Sequence, residues 1–106
     1  MPSDMFSVFG RMTAHPGRRD ELIDVLLSGF RAGGPDSGLL TYSINTAPDD
    51  PDTIWLTQLW IDKAAHDATT RSEPVAAISS RLPPLLAGQP EGCYGHAVHA
   101  HGHIPD

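Results

Sequence analysis

The chain is poor in cysteine, in basic residues and in long apolar runs. Cys93 is the only cysteine among 106 residues, which excludes an intramolecular disulfide and fits a reducing compartment. The 7 lysines and arginines are outnumbered by 13 acidic residues, for a formal net charge of -6. This charge argues against a nucleic-acid or anionic-membrane partner, because no basic patch is available to offset the repulsion of phosphates.

Segments that would place the chain in a membrane or bind a nucleotide are also missing. No apolar run approaches the ~20 residues of a membrane-spanning helix, and the first residues, MPSDMFSVFG, lack the pattern of a signal peptide. The GGP at 33–35 is not followed by the GK[ST] of a phosphate-binding loop, and no GxGxxG is present. We therefore predict a cytoplasmic protein without a membrane partner, a nucleotide or a flavin.

The apolar pattern alternates between the period of a strand and that of a helix, within an expected single domain over residues 1–106. The predicted strands are 5–13, 39–46, 53–61 and 92–101. The predicted helices begin at Arg18, after Asp62 as N-cap, and at Ser72, and the last one ends at Pro83. This βαββααβ order is typical of a ferredoxin-like α+β fold with a four-stranded antiparallel sheet.

The third predicted strand is mostly apolar on both faces. One face carries Ile54, Leu56, Gln58 and Trp60, and the other carries Trp55, Thr57, Leu59 and Ile61. Helices can cover only one face of so small a sheet, and each large side chain left in water forgoes roughly 1.5–3 kcal/mol of burial. We therefore predict a homodimer in which the uncovered sheet faces pack against each other.

The stretch HAVHAHGH at 96–103 holds four of the six histidines. In an extended strand His99, His101 and His103 would share one face at a spacing of about 7 Å. Three imidazoles can bind a transition metal, but the end of a chain frays and Gly102 favours fraying. A metal site, adventitious metal binding and a solvated tail from about residue 97 stay open as interpretations, and we predict the tail, with no metal.

Three segments carry a resemblance to a known family. VFGRMTAHPGRRDELIDVL, GLLTYSINTAPDDPDTIWLTQLW and EPVAAISSRLPPLLAGQP resemble the antibiotic biosynthesis monooxygenase family over nearly the whole chain. The resemblance implies a dimeric α+β barrel. It leaves the reaction open, because the family includes cofactor-independent oxygenases that turn polyketide anthrones into quinones, heme-degrading monooxygenases and enzymes that degrade small signals.

The heme-degrading and quinone-forming types differ in the residues that the resemblance implies. The Asn, Trp and His of the heme-degrading type fall at Gly10, Thr69 and Ser79, so that type is not expected here. In the quinone-forming type the Trp falls at Trp60. The remaining positions of that type hold other residues: Leu56 for its Asn, His66 for its Tyr, and Ser80, with Arg81 beside it, for its Arg.

The resemblance therefore implies a cofactor-independent monooxygenase that oxidises an aromatic polyketide-type molecule with O2. His66 is the implied general base, since an imidazole titrates near ~6.5 and a phenol near ~10. Trp60 is implied to act beside it by stacking on the substrate and shaping the pocket. The expected substrate contacts are Leu56, Trp60, Phe6, Val8 and Arg81.

Each of these residues also has a structural interpretation. Trp60 fits a core position and His66 fits a solvated position on a polar helix, whereas Asp49, Asp50 and Asp52 fit a turn at 47–53 better than a cation site. Two other functions therefore stay open. The altered polar set favours a non-oxygenase dimer that binds or isomerises a small ligand, and the C-terminal histidines favour a metal-dependent member.

Overall fold

The computed structural model describes residues 4–102, which form one sheet with helices on one side. The strands are β1 (Phe6–Thr13), β2 (Leu39–Ala47), β3 (Asp50–Trp60) and β4 (Glu91–His96). The helices are α1 (Arg19–Gly33), α2 (Lys63–Thr70) and α3 (Glu73–Ser79), and a single 3-10 turn follows at Pro83–Leu85. All neighbouring strands are antiparallel, in the order β2-β3-β1-β4. The predicted ferredoxin-like α+β fold is confirmed. None of the helices described is long and apolar enough to cross a membrane.

Helix α1 supplies much of the apolar layer that covers the sheet. Leu22 and Val25 are buried on its inner side, where they pack with Ile54 of β3. Asp20 and Glu21 lie in its first turn, where negative charge is favourable beside the helix dipole. The helix ends before Gly34, whose φ of 82° is a conformation that glycine adopts without strain.

The two faces of β3 divide as the alternating pattern predicts. Ile54, Leu56 and Trp60 point toward the helices and are at most 5% exposed. On the opposite face, Trp55 is 49% exposed and Ile61, just after the strand, is 53% exposed. We call this helix-free side the outer face of the sheet and the other side the inner face.

The predicted turn at 47–53 is wrong in length, because β3 begins at Asp50. Asp50 accepts hydrogen bonds from the backbone N–H of Asp52 (3.0 Å) and from the hydroxyl of Thr53 (2.6 Å). Asp52 accepts one from the N–H of Gly17 (3.1 Å). Protein donors thus occupy these carboxylates, in agreement with a turn rather than a cation site.

The two short helices follow their predicted starts. Asp62 caps α2 by accepting a hydrogen bond of 2.7 Å from the N–H of Ala65. Helix α3 ends at Ser79, earlier than the predicted stop at Pro83. The chain tightens there, since the N–H of Leu82 donates to the carbonyl of Ser79 three residues back.

The predicted fourth strand over 92–101 is wrong at its C-terminal end. Strand β4 pairs only with β1, and its last paired residue, His96, lies opposite Phe6 at the start of β1. One further backbone bond follows, from the N–H of Ala97 to the carbonyl of Met5 (3.0 Å). His99 and His101 then lie in irregular chain and do not share a strand face. His103 lies outside the described residues. Within 4–102 no three His, Cys, Asp or Glu side chains cluster as metal ligands would.

Candidate active-site cavity

A cavity of about 180 Å³ lies between the inner face of the sheet and the helices. Leu56 and Trp60 of β3 line it from the sheet, and Phe30 of α1 and Ile78 of α3 line it from the helices. Its polar lining residues are Ser37, Gln58, Thr69, Thr70 and Ser79. Among the residues described, no charged side chain lines it, so the cavity suits an uncharged, largely apolar ligand.

Two glycines of α1 make room for this cavity. Gly29 and Gly33 are four residues apart, so they lie on the same side of the helix, and both line the cavity. A Cβ atom at Gly33 would lie 3.0 Å from Cγ2 of Thr69, and one at Gly29 would lie 3.8 Å from Cγ2 of Ile78. Each glycine costs a helix roughly 0.5–1 kcal/mol relative to alanine. At Gly33 the missing Cβ thus allows Thr69 to pack closely against α1 beside the cavity.

Trp60 forms one wall of the cavity and is held by a neighbour on its own strand. Its indole N–H donates a hydrogen bond of 2.8 Å to Oε1 of Gln58. The two residues are two positions apart, so both side chains lie on the inner face. Trp60 is 3% exposed, and its indole is therefore fixed both by packing and by this hydrogen bond.

His66 is buried within an aromatic cluster and does not lie on the polar surface of α2. Its ring centre lies 5.1 Å from that of Phe6, 5.3 Å from that of Trp60 and 5.7 Å from that of Tyr94. Trp60 meets His66 edge to face, at an interplanar angle of 84°. Trp60 therefore lines the cavity and also contacts His66.

Asp67 fixes the orientation and the tautomer of His66. The distance from Nδ1 of His66 to Oδ1 of Asp67 is 3.0 Å. Since an ionised carboxylate only accepts hydrogen bonds, Nδ1 carries the hydrogen, and in the neutral form of the ring Nε2 is then the acceptor. The pKa of the Asp67 carboxyl is lowered by its hydrogen bond from Lys63 and, next, by the one from His66.

The predicted site residues separate into two groups in the structure. Leu56 and Trp60 line the cavity, whereas Phe6 lies in the aromatic cluster around His66. Val8 lies opposite Gln58 on β1 but is not among the lining residues. Arg81 is exposed after α3 and also lies outside the lining. The structure thus brings Trp60 into contact with both groups and leaves Arg81 apart from them.

Gln58, Gly29 and Gly33 also line the cavity, and they are absent from the residues that the sequence resemblance implies. Gln58 shares the parity of Leu56 and Trp60, so its place on the same face was available from the alternating pattern. Gly29 and Gly33 lie four residues apart in a segment that otherwise favours a helix. This pair of glycines is the sequence feature from which the cavity could have been predicted.

Removal of the Asp67 carboxylate should lower stability in a pH-dependent way. The lowered pKa means that the folded state binds its proton less readily than the unfolded chain does. The carboxylate therefore stabilises the fold above the unfolded-state pKa of about 3.9, and this contribution is lost as pH falls further. In thermal unfolding we expect Asp67→Asn to melt below the wild type near neutral pH and together with it near pH ~2.

Asp49→Asn is the control for this measurement. Asp49 is exposed in the β2–β3 turn, and its side chain forms no hydrogen bond or ion pair within residues 4–102, so its replacement should leave the melting temperature unchanged at both pH values. A wild type that melts above Asp67→Asn by the same margin at both pH values would contradict this assignment.

The fold and the cavity together define a class of protein. An antiparallel four-stranded sheet with helices on one face is a ferredoxin-like α+β domain, and here a mostly apolar cavity lies between the two layers. A family model described as antibiotic biosynthesis monooxygenase matches residues 5–81. The chain therefore belongs to the antibiotic biosynthesis monooxygenase family, which its three segments resemble.

Solved structures agree with this assignment. A provisionally named antibiotic biosynthesis monooxygenase from Chloroflexus aurantiacus J-10-fl is 33% identical, with 93% of this chain and 98% of that chain covered and a TM-score of 0.80. SnoaB, a cofactor-independent oxygenase from Streptomyces nogalater, is 16% identical, with 92% and 97% covered and a TM-score of 0.81. At 16% identity, the similarity to SnoaB concerns the fold alone. A search of curated proteins finds no match.

Proposed function

We propose that this protein is a cytoplasmic, cofactor-independent monooxygenase that oxidises a phenolic, polyketide-type aromatic molecule with O2. The observation that carries the proposal is the uncharged cavity walled by Trp60, in a chain of the monooxygenase family. An aromatic substrate packs well against an indole that is already held in place. The sequence resemblance to the quinone-forming type supports the choice of reaction.

The size of the cavity bears on the size of the substrate. A cavity of about 150 Å³ lined by apolar residues can hold benzene, so 180 Å³ suits one substituted ring. A second, more open groove of about 570 Å³ runs along residues 82–90 and shares Ser79 and Leu82 with the cavity. Because the cavity suits one ring, the three rings of an anthrone would occupy the cavity and extend into this groove.

The proposed reaction begins with removal of a proton. His66 takes a phenolic or benzylic proton on Nε2, which leaves an electron-rich substrate anion. The anion transfers one electron to O2, and the two radicals combine to form a carbon–oxygen bond. The resulting peroxide takes up a proton, and loss of the second hydrogen from the same carbon, as a proton, then forms the carbonyl and breaks the O–O bond. One oxygen atom stays in the quinone carbonyl, and the other leaves as water.

The hydrogen bond from His66 to Asp67 supports this role, because it leaves Nε2 as the acceptor. His66 contacts Trp60 and does not itself line the cavity. The proposal therefore requires that the substrate place its acidic hydrogen beside Trp60, on the side where His66 lies. A dry, aromatic environment on that side protects the anion from protonation by water.

Oxygen consumption with anthrone as the probe tests the proposed reaction. We expect anthrone to be converted by protein that has been treated with a metal chelator, and conversion to stop when O2 is removed. Conversion that is lost with the chelator, or that continues without O2, would show that the proposal is wrong.

A homodimer through the outer face is part of the proposal. Phe9 and Trp55 are each about half exposed there. Arg11 lies 5.6 Å from the centre of the Trp55 ring and pairs with Glu91, so the cation at this surface already has a partner. A second copy of the same face would remove the apolar side chains from water.

Trp55→Glu is therefore expected to produce a monomer. The substitution would place an unpaired carboxylate at the centre of the proposed interface. Light scattering after size-exclusion chromatography should give twice the chain mass for the wild type and the chain mass for the variant. Ala77→Glu, on the exposed side of α3, is the control and should remain dimeric. A wild-type monomer would refute the dimer.

A second candidate function is non-oxidative binding or isomerisation of a small ligand. It is favoured by the lining of the cavity, which offers amide and hydroxyl groups and no titratable side chain among the residues described. Under this alternative, anthrone would bind without consumption of O2. The oxygen measurement therefore separates the two candidates.

A further inference from the structure

The amide of Gln58 has a fixed orientation. The indole N–H of Trp60 can only donate, so the Gln58 atom that lies 2.8 Å away must be the carbonyl oxygen, Oε1. The amide nitrogen, Nε2, consequently points away from the indole. The indole N–H therefore fixes which end of the Gln58 amide faces Trp60. This assignment does not depend on telling the amide oxygen and nitrogen apart by their positions alone.

The amide nitrogen of Gln58 is left without a partner. Within residues 4–102, the bond from Trp60 is the only hydrogen bond of the Gln58 side chain, so both N–H groups of Nε2 remain available. In register, Gln58 lies between Val8 of β1 and Tyr42 of β2 on the inner face. Tyr42 is stacked on Phe30 at 4.0 Å, so this part of the face is apolar and aromatic.

The remaining polar groups of the cavity are partly engaged. The hydroxyl of Thr69 donates to the carbonyl of Ser37 (3.4 Å), and that of Thr70 donates to the carbonyl of Asp67 (3.1 Å). Gln58 therefore combines three properties: it lines the cavity, its carbonyl oxygen is held by the indole N–H of Trp60, and its amide nitrogen is an unused donor. Because this donor is already oriented, a ligand that binds to it requires little further ordering of the protein.

We propose that Gln58 determines specificity in this cavity by donating an N–H hydrogen bond to an oxygen atom of the ligand. The ligand class is an uncharged aromatic molecule that stacks on Trp60 and carries a carbonyl or phenolic oxygen beside the ring. The inference rests on the proposed cavity as the substrate site. During proton removal, negative charge moves onto that oxygen, and the same N–H would stabilise it.

Binding of two matched probes tests this inference without turnover. Acetophenone and α-methylstyrene have nearly the same shape, but only acetophenone has an oxygen acceptor. We expect Gln58→Met to weaken acetophenone binding about 2- to 12-fold, measured by NMR titration, and to change α-methylstyrene binding much less. Thr46→Met, at an exposed position of β2 that lines neither the cavity nor the groove, is the control and should behave like the wild type.

A second variant covers the case in which Gln58→Met does not fold. Gln58→Glu, studied above neutral pH, keeps a carboxyl oxygen to accept the indole N–H and removes the donor. It should also bind acetophenone more weakly, relative to α-methylstyrene, than the wild type does. A preference that is unchanged in either folded variant would overturn the role of Gln58.

The outcomes separate this inference from the proposed function. If the wild type binds neither probe, the cavity is not an aromatic site and both proposals fail. If both probes bind, but Gln58→Met weakens them equally, only the role of Gln58 is refuted. If the preference depends on Gln58 but anthrone consumes no O2, the specificity role stands and the monooxygenase proposal fails.

Discussion

Replacement of His66 by glutamine is expected to lower the rate of anthrone oxidation by ~10²–10⁴-fold, the usual contribution of a general base. His66 is the buried imidazole whose Nδ1–H donates to Asp67 and whose ring contacts Trp60. Glutamine has a similar reach and can still donate to Asp67, but it cannot take up a proton near neutral pH. Steady-state oxygen uptake over a range of anthrone concentrations would measure the change.

The division of this effect between kcat and KM distinguishes catalysis from structure. Loss of a base should lower kcat and leave KM nearly unchanged, because His66 is not among the residues that line the cavity. His15→Gln replaces an exposed histidine after β1 and should retain the wild-type rate. A folded His66→Gln protein that also retains the wild-type rate would show that His66 is not the base.

Replacement of Ile54 by alanine is expected to lower the free energy of unfolding by about 2–5 kcal/mol. Ile54 is fully buried and packs with Leu22, Val25 and Leu85, where α1 and the 3-10 turn meet the sheet. A well-packed core relaxes only partly around lost methyl groups, so the substitution leaves a void in addition to the lost burial.

Denaturant unfolding at a single protein concentration would measure this loss, since the stability of a dimer depends on concentration. Val98→Ala is the control, because Val98 is 96% exposed and its methyl groups have no core to leave. An equal loss in the two variants would contradict the placement of Ile54 in the core.

The parts of the fold that depend on local pattern could be predicted from the sequence. Alternation along β3 predicted which of its side chains face the helices, and Asp62 was identified as the cap of α2. The end of β4 could not be predicted, because it depends on where β1 begins, and Phe6 is far from His96 in sequence. For this reason the sequence pattern alone predicts a strand that continues into the histidine-rich stretch.

The candidate site, like the fold, could be predicted only where it depends on local sequence pattern. Trp60 and Leu56 could be placed at the cavity, since strand parity alone puts them on the inner face. His66 lies among alanines, threonines and charged residues on its helix, and it is buried by contacts with the sheet residues Phe6, Trp60 and Tyr94. The free amide nitrogen of Gln58 depends on a side-chain hydrogen bond, which a one-dimensional pattern does not specify.

Labelled dioxygen offers the most direct test of the central claim, that this cavity supports monooxygenation without a cofactor. Chelator-treated protein would be incubated briefly with anthrone under isotopically labelled O2, and the quinone would be analysed by mass spectrometry against a control for carbonyl exchange with water. We predict that one labelled oxygen atom enters each product molecule. Product that carries no label, or that forms only after a metal or a flavin is added, would contradict the claim.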